Sequence, residues 1–168
     1  MRWTVSFFLQ SAVTNGLSWE PVNARIKSLL ALDAATAKAE LDRLSPEELL
    51  APAKIVSADD AALVKAGVYL HHGYLAECHR IAQRVESANG AYWHALLHRV
   101  EGDFENAKHW YRRVGAHPVL ARFGSDWDPC WFVDQCAAGG SAETDQLQQT
   151  EFDLLLAHTI AVATGPAP

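Results

Sequence analysis

From about residue 22 the apolar positions of the chain fall three and four apart, the spacing of helices that bury one face. Ile26, Leu29, Leu30 and Asp33 form the first stretch, and Ala37, Leu41 and Leu44 continue it through an alanine-rich run, Ala34 to Ala39, that favours helix by propensity. Ser45-Pro46-Glu47-Glu48 reads as a helix start with a capping serine, a first-position proline and an approximate capping box. Ser57 or Asp59 caps the next helix, which carries Leu63, Val64, Val68 and Tyr69 and stops near Gly73. A further helix runs from Leu75 through Cys78 and Ile81 to Val85 and is halted by Ser87-Ala88-Asn89-Gly90. Ala91 to Glu101 makes another, broken at Gly102-Asp103, and Phe104 to Val114 a fourth, ended by Gly115 and Pro118. Asp128-Pro129 opens a short helix, Gly139-Gly140-Ser141 reads as a linker, and Thr144 to Val162 is a long last helix. No period-two run of β-branched residues is sustained anywhere, so the pattern predicts a compact all-α bundle of seven or eight helices in one domain, residues 1–168.

The middle of the chain repeats itself. Set at an offset of 29 residues, Gly73 meets Gly102, Ala66 meets Ala95, Cys78 meets Ala107, Arg84 meets Arg113 and Val85 meets Val114. These are the seats where a helical hairpin needs a turn glycine, a small residue for close approach and an apolar residue for packing. The motif Gly102-x-Phe104-x-x-Ala107, followed by Tyr111, Val114 and Pro118, resembles the tetratricopeptide signature from the turn onward. That family repeats at about 34 residues rather than 29, and His94 and His98 stand where it has leucine and a bulky aromatic. The likeness spans residues 61–118. It implies two stacked hairpins over about 59–118, capped by helices over about 22–52 and 128–163, and a scaffold that binds another protein. The stretch from Tyr92 to Pro118 is also similar to a family of bacterial proteins, a likeness that implies no activity.

Composition narrows the function without naming it. A formal charge of −6 gives duplex nucleic acid no global attraction, although protonating all eight histidines would carry the balance to +2. Cys78, Cys130 and Cys136 are odd in number and lack paired spacing, so they read as reduced thiols of a cytoplasmic protein. The start, Met1 to Leu9, has one basic residue and an apolar run interrupted by Thr4 and Ser6, which argues against a secretory leader. No stretch approaches the ~18 apolar residues of a membrane span. Oligomeric state is not encoded in any pattern.

Three groups of residues can carry chemistry. His94, His98 and Glu101 stand at i, i+4 and i+7 and share one helix face; two imidazoles and a carboxylate so placed can ligate a divalent transition metal such as zinc or iron. His71, His72 and His79 in the adjacent hairpin are possible further ligands. The competing reading fills a helix seam with the same histidines as neutral, hydrogen-bonded groups, in which case no cofactor is expected. Arg112 and Arg113, with Trp110 and Tyr111 beside them, can hold a phosphate or another small ligand, or can simply be solvated cations at a helix C-terminus. Trp127 and Trp131, set among Asp126, Asp128 and Pro129, form a candidate protein contact or a loop tucked over the bundle. Gly-rich phosphate loops, nucleophile elbows and paired-cysteine zinc motifs are absent from the sequence.

Overall fold

The computed structural model describes residues 24–165, and among these every regular element is helical. The helices are α1 (Ala24–Leu30), α2 (Ala34–Arg43), α3 (Pro46–Leu50), α4 (Ala58–His71), α5 (Leu75–Ala82), α6 (Ala88–Glu101), α7 (Phe104–Val114), α8 (Pro129–Ala137) and α9 (Ala142–Thr164), with a 3₁₀ turn at Leu120–Phe123. None of the described helices is long and apolar enough to cross a membrane. The apolar start, Met1 to Leu9, and the last three residues lie outside the described residues.

Local chemistry explains where the boundaries differ from the periodic pattern. Asp33 does not continue the first helix; its carboxylate accepts from the Thr36 N–H and caps α2, so the stretch divides in two. Glu48 is the third residue of α3 and completes a full capping box with Ser45, whose backbone N–H donates to the Glu48 carboxylate at 2.8 Å. Ser87, expected to halt a helix, instead caps α6 by accepting from the Gly90 N–H, which moves the start of α6 back to Ala88. Glycine is required at 90 because a Cβ there would lie 2.0 Å from the Val85 carbonyl oxygen. Ser141 likewise caps α9 rather than serving as a linker.

The sequence repeat reappears as a repeated turn. At the end of α4 the Tyr74 N–H donates to Tyr69 O at 2.9 Å and the Gly73 N–H to Leu70 O at 3.0 Å. At the end of α6 the Asp103 N–H donates to His98 O at 2.9 Å and the Gly102 N–H to Arg99 O at 3.2 Å, the same pair of bonds 29 residues on. Both glycines take a left-handed backbone, φ 79° and 87°, and the residues after them share φ −84° and −85° with ψ 72°. From these turns α5 folds back on α4 and α7 on α6, while α5 and α4 both pack against α6.

Helix α6 is consequently covered on all sides. Trp93, fully buried, lies across Gly67 of α4, where a Cβ would come within 2.5 Å of its ring, and donates from Nε1 to Thr159 Oγ1 of α9 at 3.0 Å. Arg99 places Nη1 2.6 Å from Glu151 Oε2 of α9, and the hydroxyls of Tyr92 and Tyr111 donate to Glu151 Oε1 at 2.7 and 2.8 Å. A second buried chain orients the helix starts. The Val119 N–H donates to His117 Nδ1 at 3.2 Å, so His117 carries its proton on Nε2 and donates to Asn89 Oδ1 at 2.7 Å. Asn89 in turn donates to Asp60 Oδ1 at 2.6 Å, and Ser57 Oγ to Asp60 Oδ2 at 2.6 Å, tying the first turns of α4 and α6 to the segment after α7.

Candidate metal centre

The four-residue spacing of His94 and His98 puts both imidazoles on the side of α6 that meets α5 and α7. Their rings stack, 4.8 Å between centroids and 18° between planes. Trp110 of α7 stacks on His94 at 3.9 Å and 20°. The third member comes from α5: His79 meets His94 edge-on at 4.6 Å and His98 at 5.5 Å. One ligating nitrogen from each of the three lies within 4.8 Å of the others. His94 and His98 are buried and His79 is half-buried, so the group sits under the surface with one side toward solvent.

Polar partners are distributed unequally within the group. Glu101, at the last position of α6, is exposed and does not join the cluster; its Oε2 lies 3.2 Å from His98 Nδ1. A carboxylate can only accept, so His98 carries its proton on Nδ1, and the Asn106 amide donates to Nε2 at 3.1 Å. His98 is therefore oriented by two neighbours. His94 has none: Nδ1 and Nε2 are both buried and neither has a hydrogen-bond partner. Burial drives the His94 pKa down to about 4, with smaller contributions in the same direction from His98, His79 and Arg113, so the ring is neutral and keeps a lone pair at ordinary pH.

Helical spacing along α6 thus identifies two of the three clustered imidazoles, and the third is set by how α5 packs across α6. His79 was visible in the sequence only as one histidine of several in the adjacent hairpin. The other two there do different work. His71 Nε2 donates to Leu30 O at 3.2 Å and His72 Nε2 to Leu29 O at 3.0 Å, closing the carbonyl end of α1.

The remaining candidates are placed apart from this cluster. Arg112 and Arg113 are exposed on α7, and the Arg113 guanidinium lies over the Trp110 ring at 4.9 Å. Trp127 is half-buried between Phe123, stacked at 4.6 Å, and Phe132 at 5.0 Å. Trp131 on α8 is 54% exposed, so of the two tryptophans one packs inward and one faces out. All three cysteines are free thiols, and burial pushes Cys78 up to about 12 and raises Cys130 and Cys136, which leaves none of them activated as a thiolate. The chain matches no family model, no curated protein and no solved structure.

Proposed function

We propose that this protein binds a divalent transition-metal ion through His79, His94 and His98. The observation that carries the reading is His94, an imidazole buried with both nitrogens unpartnered inside a group of ligand-type side chains. A buried polar atom left without a partner costs about 1–3 kcal/mol, so a group kept in that condition calls for a reason. A metal supplies one for one of the two nitrogens. Nitrogen donors without carboxylate or thiolate favour zinc, iron, cobalt, nickel or copper over magnesium or calcium. Tetrahedral coordination at metal–nitrogen bonds of about 2.05 Å sets donors about 3.3 Å apart, so the imidazoles must rotate inward from their separation of up to 4.8 Å. The bond to His98 then replaces the hydrogen bond from Asn106, while Glu101 holds the Nδ1 proton and raises the basicity of Nε2.

An interaction module remains the reading implied by the tetratricopeptide resemblance, with Trp131 as its exposed anchor. A single exposed indole is ordinary surface, which is why the buried cluster is preferred. The test uses tag-free full-length protein, stripped with chelator, dialysed against zinc or cobalt and analysed for bound metal. Near-stoichiometric binding is expected, weakened at least about 100-fold by His94→Ala and unchanged by His71→Ala. Absence of bound metal, or full binding by His94→Ala, would overturn the reading.

A further inference from the structure

The geometry points to more than a closed structural site: a metal held here keeps one coordination position for a small exogenous anion, with water or hydroxide as its resident form. This inference rests on the metal reading above and adds to it the class of ligand. Structural zinc sites are closed by four protein donors, whereas three protein donors leave a position for water or a substrate. Among the described residues the cluster has three members and no fourth histidine, cysteine, aspartate or glutamate joins it. Glu101, the carboxylate in contact with the group, is committed to the Nδ1 side of His98, away from the nitrogen that bears the lone pair.

Charge argues the same way. Three neutral imidazoles bring no negative charge, so a bound divalent ion retains its full +2 in a setting that is mostly buried. The Arg113 guanidinium, over Trp110, adds positive potential at His94 rather than compensating it. A partly buried dication whose neighbouring carboxylate, Glu101, stands outside the donor set favours an anion as the next ligand. Access is one-sided. Trp110 and His98 stack on His94, both buried imidazoles are closed off from solvent, and the half-buried His79 marks the edge at which an exchangeable ligand can arrive. A water bound there would lose a proton far more readily than bulk water.

Cobalt(II) makes the position visible, because its visible absorption responds to coordination number and ligand type. The full chain loaded with cobalt(II) is titrated with azide at constant ionic strength, with perchlorate as the non-coordinating control. A saturable change of the cobalt bands at one azide per metal, absent with perchlorate, is the expected result. Cobalt that is bound and dependent on His94 but indifferent to azide would overturn the inference while leaving the metal reading intact; the fourth position would then belong to a protein donor, and recovery of the azide response in Asn106→Ala would identify it. Failure to bind cobalt at all would remove both.

Discussion

The two hairpins share a turn and differ in what their helices carry. Lys65 and Tyr69 of α4 occupy the seats that His94 and His98 occupy in α6, 29 residues later. In the first hairpin both polar ends find protein partners on the side of α2. Lys65 Nζ donates to Leu44 O at 2.7 Å, and the Tyr69 hydroxyl donates to Asp42 Oδ1 at 2.8 Å. In the second hairpin the same seats look onto α5 instead, and there His79 meets both rings edge-on without a hydrogen bond to His94. A scaffold that satisfies its polar residues in one copy therefore leaves an imidazole unsatisfied in the other. A buried polar group left without a partner calls for a reason, which is why the difference carries functional weight.

The largest effect should come from another seat where the copies diverge. Leu70 in the first hairpin corresponds to Arg99 in the second, and Arg99 is 4% exposed against a fully buried Glu151. Its Nη1 also donates to the Tyr111 hydroxyl at 2.6 Å. Restoring the first hairpin's residue, Arg99→Leu, strands the Glu151 carboxylate without its counter-charge and should cost about 3–5 kcal/mol in urea denaturation. Adding Glu151→Leu should return about 2 kcal/mol or more, since removing both charges removes the stranded one. A single variant costing no more than about 1 kcal/mol, as a surface pair would, would mean that the buried pair does not join α6 to α9.

Acid should act on both copies, and more gently. His71, at the end of the first hairpin's α4, and His117, beyond the second hairpin's α7, are both driven down to about 4 by burial, helped by His72 and His158 respectively. The unfolded chain takes up these protons near pH 6.5, whereas the folded protein resists them until about pH 4. Their contribution is therefore complete above pH 6.5, falls as the pH drops from there toward 4, and levels off below. With chelator present, urea midpoints should decline across that window by at most about 1.4 kcal/mol per pH unit for each histidine. His117→Gln should flatten the slope by one proton. Burial raises the Asp153 carboxyl to about 7, which works in the opposite sense over the same window, so the decisive reading is the difference between the two proteins: parallel profiles for the parent and His117→Gln would show that His117 is not held neutral.

How much of this was readable beforehand follows from the range of the interactions. Helix type and most boundaries rest on local chemistry, so Ser57, Asp103 and Asp128 cap where their sequence context suggests. The misread boundaries at Asp33 and Ser87 are also local, but there a residue able to extend or halt one helix was recruited to begin the next. The pairing of His94 with His98 is a matter of helical period. Its completion by His79 depends on α5 crossing α6, and no spacing within one helix reports that. The Arg99–Glu151 pair, 52 positions apart in the chain, was invisible for the same reason.

The smallest effect tests the premise of the comparison, that one turn is used twice. Gly73 and Gly102 have the same left-handed backbone, and a Cβ at either would meet nothing within 4 Å, so replacement by alanine is penalised by backbone conformation alone. Gly73→Ala and Gly102→Ala should each lower stability by about 1 kcal/mol, and by amounts equal within a few tenths. The double variant should show their sum, because the turns share no partner. Equality is the informative part of the measurement. If Gly102→Ala cost several times more than Gly73→Ala, the second turn would be under a constraint that the first lacks, and the unpartnered state of His94 could then be ascribed to strain at the end of α6 instead of to a ligand.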